Sequence, residues 1–575
     1  MKTFNFYPLK LLSLITLPSV IIFLSALLIT GCNKEEAREE IQFKAVDPLE
    51  KIFKETAFFN EVDPLAHVAA GEHATFQLVV RSQENIKNLR VTVTALKNGE
   101  NSLSSIKTGF VGYVTVGRTA PEPARDKLNS FSGFYPDPIL DQEIMDLSAF
   151  ETQPVWITVD IPVATAAGTY EGEAQISGKL EGEKFLLRKT IRVKVYPVKI
   201  NKTRLWVTNW YSDSPHNLEL IFGEKNIKPY SDRYWEYMNM LAAKMAEYDQ
   251  NVAIISPLSL SAYKIDDKGN YQIDFTNFDK TVEIFQKQGV IGRIEGGHIG
   301  GRESTWLSKF VVMVPVIEHD STVFKPMKIS NDSAKAFYST FIPALVSHLK
   351  EKGWYSVYLQ HIADEPIPEN TDSYIEIAKF VKKLAPDIKI VEACHSKDVN
   401  NMVNVWVPQL NFMDQDYKFY NDRHSKGDEI WFYTCLNPKG EYANRFIELP
   451  LIKTRILHWI NFRFDIPGYL HWGFNFWGED PFGETTGIQT ESGTILPAGD
   501  AWITYPGKGK ILSSIRLEAM RDGIVDYELL KMLQEKHPAE AAEIARQVVY
   551  RFDYYDTYIK DFRAKRQHIL EMLSE

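Results

Sequence analysis

Cysteine is scarce in this chain, which excludes a fold held together by disulfides. Only three cysteines occur among 575 residues, and one of them, Cys32, belongs to a terminal motif described below. The other two, Cys394 and Cys435, lie on different predicted strands, so their spacing gives no disulfide framework. Stability must come from buried apolar cores, and the length predicts two or three domains.

Runs of basic residues and metal-binding motifs are also absent. The formal net charge of -10, without a Lys/Arg cluster, excludes a nucleic-acid partner. His361 and Asp364 have ligand-like spacing, but the chain contains no HExxH, clustered Cys/His or EF-hand pattern. We therefore predict neither a metal nor another cofactor.

Aromatic residues are abundant instead. They make up 13% of the chain, including 12 Trp and 27 Tyr, and planar rings are surfaces on which sugar rings stack. Although most of these rings pack in cores, the composition is compatible with a carbohydrate partner.

The first 42 residues predict export and anchoring. Two lysines precede an apolar run, which ends in the sequence ITGC at residues 29–32. This resembles the lipobox of bacterial lipoproteins, which implies removal of residues 1–31 and acylation of Cys32. An uncut membrane span is the alternative. Residues 32–42 are charged and predict a flexible tether, and the expected location is the outer membrane or cell surface, or a membrane face toward the periplasm.

Residues 43–200 predict an all-β domain. Short β-rich runs recur between Gly, Pro and Asn residues, and no amphipathic helix interrupts them. This pattern is typical of a β-sandwich. A long loop at 117–140 carries charged and aromatic residues and is expected either to reach a neighbouring site or to pack on the next domain.

Residues 203–510 predict a (β/α)8 TIM-type barrel, because eight β-rich runs alternate with helical or connecting segments. Together with the first domain this gives a multidomain chain of all-β and α/β parts, and residues 511–575 predict helices packed on the barrel, at 512–536 and 538–573. The eight predicted strands are 204–211, 251–257, 290–296, 356–363, 388–394, 403–407, 429–436 and 468–477.

Two adjacent carboxylates follow the fourth predicted strand. Pro366 cannot donate a ladder hydrogen bond, so the strand should end before it and leave Asp364 and Glu365 at its carboxyl end. Barrel enzymes carry their active sites at that end. Taken alone, the pair is more typical of solvated acids capping a strand, and the neighbouring segments favour a catalytic pair instead.

The other strand ends carry aromatic and polar residues that suit a pyranose ring. As substrate-binding residues we predict Trp210, His298, His361, His471, Trp472, Asn475 and Trp477. The same ends also supply Tyr211, Asp213, His395, Tyr433 and Asn437.

A carboxylate is missing where retaining barrel glycosidases place their nucleophile, because residues 431–437 of the seventh strand contain none. Adjacent acids suit a substrate-assisted reaction, in which the 2-acetamido oxygen of the sugar attacks the anomeric carbon. Asp364 would then orient the acetamido N–H, and Glu365 would act as acid and base with a raised pKa. Tyr433 would bond the acetamido carbonyl or pack inside the barrel.

Four segments resemble glycoside hydrolase family 123: residues 362–366 (IADEP), 431–446, 457–477 and 514–530. The resemblance implies a β-N-acetylgalactosaminidase that acts by substrate assistance through an adjacent Asp-Glu pair, here Asp364 and Glu365. It implies terminal β-linked N-acetylgalactosamine of glycans, including glycosphingolipids, as the substrate.

Three alternatives stay open at this point. The enzyme could act on another 2-acetamido sugar, such as β-linked N-acetylglucosamine. A protein nucleophile would point to Glu479 or Asp480, after the eighth strand. A surface lipoprotein that binds glycans without turning them over is the third possibility.

Overall fold

The computed structural model describes residues 41–117, 126–128, 132–267, 269–319, 321–399, 401–485 and 495–575. The predicted signal peptide, Cys32 and the tether up to residue 40 lie outside these ranges, as do Arg118, Arg125 and Phe131 of the predicted loop. Residues Ile41–Glu575 form one compact unit. Among the described helices, none combines the length and apolarity needed to cross a membrane.

Two β-sheets build the first part of this unit. Their strands are β1 (Ile41–Val46), β2 (Leu65–Ala70), β3 (His73–Ser82), β4 (Ile86–Val93), β5 (Leu96–Asn98), β6 (Asn101–Leu103), β7 (Ile106–Val116), β8 (Gly133–Leu140), β9 (Ile144–Leu147), β10 (Thr152–Asp160), β11 (Gly168–Leu180) and β12 (Glu183–Lys199). One sheet has the order β1-β3-β10-β7-β8, and the other has β2-β12-β11-β4-β9, with β5 attached to β11 and β6 attached to β5. The region predicted as a long loop at 117–140 thus includes strand β8.

Alternating side chains explain why the two sheets pack together. In β3, Phe76 and Leu78 point into a core shared with strands of the other sheet. On the opposite face of the same sheet, Trp156 of β10 joins the large core of the rest of the chain. A buried ion pair also crosses this boundary, because Arg516 contacts Asp137 of β8 at 2.8 Å. The sheet-rich region is therefore fixed against the part that follows.

Residues 206–575 combine short strands with helices. The strands are β13 (Trp206–Asn209), β14 (Val252–Ile254), β15 (Ala262–Ile265), β16 (Tyr271–Asp274), β17 (Arg293–His298), β18 (Gly300–Arg302), β19 (Phe310–Glu318), β20 (Ser321–Met327), β21 (Tyr358–His361), β22 (Val391–Cys394), β23 (Val405–Pro408), β24 (Glu429–Ile430), β25 (Phe432–Tyr433), β26 (Gly468–His471), β27 (Tyr505–Gly507), β28 (Lys510–Leu512), β29 (Val549–Arg551) and β30 (Tyr554–Tyr555).

The helices of this region surround the strands. They are α1 (Pro215–Phe222), α2 (Asp232–Glu247), α3 (Pro257–Leu260), α4 (Thr276–Gln288), α5 (Asp332–Glu351), α6 (Thr371–Leu384), α7 (Leu410–Gln415), α8 (Tyr417–Ser425), α9 (Leu451–Arg463), α10 (Ile515–Lys536), α11 (Pro538–Val548) and α12 (Ile559–Ser574). Ser231 caps α2, because its side chain accepts a hydrogen bond from the backbone N–H of Tyr234.

The central strands form a curled parallel sheet. Six of them follow the order β21-β17-β14-β13-β26-β25, and a separate sheet has the order β22-β23-β24. Two isolated β-bridges connect these sheets. One joins Gln360 to Ile390, and the other joins Gln409 to Tyr433. The predicted mixture of α/β and sheet-rich parts is confirmed, whereas an uninterrupted (β/α)8 barrel stays a prediction because the ladder narrows to one bridge at two places.

The end of the chain differs from its prediction. The sequence predicts one long helix over 538–573, but α11 and α12 are separated by the hairpin of β29 and β30. The run VVYRFDYY at 548–555 is rich in β-branched and aromatic residues, which favour strands. Helix α10 packs along α9, and Asp526 of α10 accepts hydrogen bonds from the buried guanidinium of Arg455 at 2.7 and 2.9 Å.

Candidate active site

The adjacent acids lie just beyond strand β21, as the position of Pro366 predicts. The chain leaves the strand at His361, and Glu365 has a φ of 49°, in the left-handed region that non-glycine residues seldom adopt. Neighbouring side chains of an extended strand point to opposite faces. The turn at Glu365 breaks this alternation, and both Asp364 and Glu365 keep part of their side chains exposed.

A buried glutamate of the next strand holds this turn in place. Glu392 of β22 accepts hydrogen bonds from the backbone N–H groups of Ile362 at 2.8 Å and Ala363 at 3.1 Å. Although burial opposes its ionisation, the neighbouring rings of His361 and His298 lower the pKa of Glu392 to about 2. A permanently charged acceptor thus fixes the backbone that carries the two acids.

Glu365 is surrounded by hydrogen-bond donors. One carboxylate oxygen accepts from the Tyr433 hydroxyl and lies 3.1 Å from Nε2 of His395. The same His395 nitrogen lies 2.6 Å from the Tyr433 hydroxyl, and Arg302 donates to the backbone carbonyl of Glu365 at 2.8 Å. Burial raises the pKa of Glu365, but these donors outweigh it and leave that pKa below its usual value. The raised pKa predicted for Glu365 is therefore contradicted by these contacts.

Asp364 shows the opposite behaviour. Its carboxylate lies 3.8 Å from Nε2 of His298 and accepts no comparable set of hydrogen bonds among the described residues. Enclosure by the surrounding protein and the charge of Glu365 raise the pKa of Asp364 to about 6. Between the two pKa values the pair carries one proton, which is the state that acid catalysis beside an anion requires.

Beneath the pair lies a fully buried histidine. His361 is held between Glu392, 2.9 Å from Nδ1, and Glu295, 3.2 Å from Nε2. Burial disfavours the charged ring, but the two carboxylates outweigh it and raise the pKa of His361 to about 10. Trp210 donates to the same Glu295 at 2.7 Å, and its ring meets His298 edge-on. This network fixes the floor of the site.

His298, His361 and Glu392 also satisfy the spacing of a metal site, since each offers a ligand atom within 4.8 Å of the others. However, metal ligation needs a free lone pair on the imidazole. His361 is protonated on both nitrogens at neutral pH because it faces two buried carboxylates. The arrangement thus favours an ion-pair network, and the predicted absence of a metal stays a prediction.

Four predicted substrate-binding residues are buried away from solvent. His361, His471 and Asn475 have no exposed surface, and Trp477 is 5% exposed. The amide of Asn475 bonds both backbone groups of Ser212, and Trp477 donates to the carbonyl of Thr504 at 2.8 Å. Their burial leaves little surface for a sugar, and their role in substrate binding stays a prediction. His471, Asn475 and Trp477 face the core because strand β26 and the segment after it are covered by residues 498–504. His361, on β21, is instead enclosed between Glu392 and Glu295.

Some of the remaining predicted residues line the site and others do not. Trp210, His298 and Trp472 are partly exposed, and Tyr433 contacts Glu365 although it is 3% exposed. Asp213 instead accepts a hydrogen bond from Tyr234 at 2.6 Å. Glu479 and Asp480 are exposed, and Asp480 accepts from the backbone N–H of Gly483 at 2.8 Å.

Several residues of the site escaped the sequence prediction. Glu295 and Glu392 are carboxylates within strands that are mostly buried. A carboxylate within a predicted strand is a signal that the sequence did contain. Arg302 and Trp306 lie in an insertion after β17, and the length of this insertion was its only unusual feature in the sequence. His395 was placed at a strand end but received no role.

Comparisons with known proteins agree with this architecture. The family model for "Glycoside hydrolase 123, catalytic domain" matches residues 217–533, and that for "Glycoside hydrolase 123 N-terminal domain" matches residues 65–178. A family 123 glycoside hydrolase from Clostridium perfringens, whose structure was analysed for glycolipid glycan hydrolysis, superposes with a TM-score of 0.70 and 15% identity, covering 93% of this chain and 97% of that one. At this identity the likeness shows the fold alone.

Other solved structures are more distant. A β-D-glucuronidase from Dictyoglomus thermophilum gives a TM-score of 0.29 at 9% identity, covering 84% of this chain and 68% of that one. An endo-β-1,4-mannanase from Thermotoga petrophila gives 0.33 at 9% identity, with 57% and 77% covered. Both TM-scores are too low to indicate a shared fold over the whole chain. No curated protein matches the chain.

Proposed function

Since the chain belongs to glycoside hydrolase family 123 and is therefore a glycosidase, we propose that it releases terminal β-linked N-acetylgalactosamine from glycans with retention of configuration. The reaction proceeds by substrate assistance, through an oxazolinium intermediate. The catalytic residues are Asp364 and Glu365, and Tyr433 positions Glu365 through its hydroxyl.

The proposal rests on one observation: the two acids have different neighbours. Asp364 faces His298, while Glu365 faces His395 and Tyr433. Their pKa values move apart, the Asp364 value upward and the Glu365 value downward. Two carboxylates on consecutive residues do not flank a sugar ring, but they can serve neighbouring atoms of one substrate.

The first step breaks the glycosidic bond. The acetamido oxygen attacks the anomeric carbon, and the bond from that carbon to the leaving oxygen breaks as Glu365 gives this oxygen a proton. Anionic Asp364 accepts the acetamido N–H and stabilises the positive charge that develops on it. Because a bound N–H donor favours the anionic form of Asp364, substrate binding shifts the shared proton from Asp364 to Glu365.

The second step restores the enzyme. Glu365, now anionic, removes a proton from water as the water oxygen attacks the anomeric carbon and the bond to the acetamido oxygen breaks. The same carboxylate thus serves as acid and then base. Donors around Glu365 stabilise its charged form between the two steps, which suits a group that must alternate.

The surrounding architecture extends this proposal. The two parallel sheets act as one (β/α)8 barrel, and the bridges at Gln360 and Gln409 are compatible with a closed ring of strands. Acylation of Cys32 anchors the enzyme to the bacterial outer membrane or cell surface. The structural relative acts on glycolipid glycans, and the glycan part of a glycolipid is the substrate class that suits an anchored enzyme.

The test compares an aryl β-N-acetylgalactosaminide with the matching aryl β-galactoside, which lacks the acetamido group. We expect hydrolysis of the first and none of the second, and competitive inhibition by a thiazoline mimic of the intermediate. Equal hydrolysis of both would favour a protein nucleophile. An aryl β-N-acetylglucosaminide in the same panel decides the epimer, since preference for it would leave the mechanism intact and change the sugar.

Chelation gives an independent prediction. Because His361 is held as a cation between two carboxylates, dialysis against EDTA should leave the rate of aryl glycoside hydrolysis unchanged. Metal content before and after dialysis is measured by mass spectrometry. Activity that disappears with EDTA and returns with one divalent cation would instead identify His298, His361 and Glu392 as metal ligands.

A further inference from the structure

An exposed tryptophan lies beside the candidate active site in the insertion that follows β17. Trp306 is 45% exposed, and its neighbour Leu307 is 61% exposed. Large apolar side chains on a surface lose the free energy of burial, so such a pair beside a catalytic pocket suggests a ligand contact. Neither residue takes part in the proposed chemistry.

The loop that carries Trp306 is ordered by its own hydrogen bonds. Arg302 donates to the Trp306 carbonyl at 2.9 Å, and the backbone N–H of Glu303 donates to Lys309 at 3.0 Å. Lys309 in turn donates to the carbonyl of Glu369 at 2.7 Å. The ring is thus held ready before a ligand arrives, which lowers the entropy lost on binding.

The Trp306 ring is supported by two neighbouring side chains, and 45% of the residue stays exposed. The guanidinium of Arg302 lies 3.8 Å from the ring centroid, and the His395 ring meets Trp306 edge-on at 6.0 Å. A tryptophan that is held by its neighbours and still partly exposed offers a stacking surface for the C–H groups of a sugar ring.

The position of Trp306 relative to the two acids decides which sugar it meets. Its supports, Arg302 and His395, both bond Glu365, one through the backbone carbonyl and the other through the carboxylate. On the other side of the pair, Asp364 faces His298, whose ring contacts Trp210. Under the proposed mechanism Asp364 contacts the sugar that is released, and Glu365 contacts the leaving oxygen. Trp306 therefore lies on the leaving-group side.

We propose that Trp306 forms a leaving-group subsite that stacks on the hexose to which the released N-acetylhexosamine is attached. This inference rests on the proposed function for the direction of the substrate. It assigns the enzyme a preference for a disaccharide end over an isolated sugar, and it places part of the binding energy outside the pocket of the terminal residue.

The test uses a thio-linked disaccharide of N-acetylgalactosamine on galactose, which resists hydrolysis, together with N-acetylgalactosamine itself. Trp306→Ala should weaken calorimetric binding of the disaccharide about tenfold and leave binding of the monosaccharide unchanged. In kinetics, kcat/KM should fall similarly for the O-linked disaccharide and stay constant for the N-acetylgalactosaminyl fluoride, whose leaving group is too small to reach the ring.

Two further variants make the result specific. Trp306→Phe keeps a stacking ring and should recover most of the disaccharide affinity, and Phe58→Ala removes an aromatic side chain that is 94% exposed elsewhere and should change nothing. Equal losses for disaccharide and monosaccharide, or no loss for either, would overturn the subsite. Failure of the proposed function has a different signature, since the wild-type enzyme would then bind the thio-disaccharide through Trp306 without hydrolysing the O-linked one.

Discussion

Glu365→Gln is expected to lower kcat about 100-fold or more on an O-linked disaccharide, because glutamine cannot give a proton to the leaving oxygen. Glutamine keeps the shape of glutamate and can still accept hydrogen bonds from Tyr433 and His395, so the fold of the site should persist. The measurement is steady-state release of galactose, with the melting temperature followed in parallel.

The choice of leaving group tests whether Glu365 donates a proton or only positions other groups. A 2,4-dinitrophenyl leaving group needs no proton, so kcat/KM, which reports the first step, should fall far less for this substrate than for the disaccharide. Glu369→Gln, four residues away and exposed, serves as the matched control and should retain full activity. Equal losses with both leaving groups would show that Glu365 does not protonate the leaving oxygen.

The location of the acids could be predicted from the chain alone because it depends on local chemistry. Proline lacks a backbone N–H and therefore ends a strand. Pro366 thus predicts that Asp364 and Glu365 follow the strand, and the structure places them just beyond β21. The alternation of strands and helices predicts a (β/α)8 barrel, and its parallel strands are present as a curled sheet, since this pattern depends on sequence periods rather than on distant contacts.

The exposure of the other residues could not be predicted in the same way. Whether His471 or Asn475 faces a pocket depends on residues 498–504, which follow the last central strand and cover it. The shift in the pKa of Glu365 depends on His395 and Tyr433, which are 30 and 68 residues away. Contacts over such sequence separations leave no periodic pattern in the chain, so burial and the neighbouring acid suggested the wrong direction for the pKa of Glu365.

Asp364→Asn should lower kcat about 100-fold on a 2-acetamido substrate. The asparagine oxygen can still accept the acetamido N–H, so orientation is partly kept, but the neutral side chain no longer stabilises the positive charge of the oxazolinium ion. KM should change little, since the charge develops only in the transition state. Asp372→Asn, an exposed acid at the start of α6, is the matched control and should be fully active. A variant with unchanged kcat would remove Asp364 from the mechanism.

The pH profile follows from the same pair and tests it in the unmodified enzyme. The active form holds one proton on two carboxylates, and the pKa of Asp364 near 6 is where that last proton leaves. kcat/KM should therefore decline about tenfold per pH unit above pH 6, because both acids are then anionic and no proton is available for the leaving oxygen.

The Asp364→Asn variant should shift this profile. Its remaining proton belongs to Glu365 alone, whose pKa is already lowered by His395 and Tyr433. Removing the neighbouring negative charge lowers it further, so the decline should begin at a lower pH than in the wild type. A decline that moves upward would mean that another group supplies the proton.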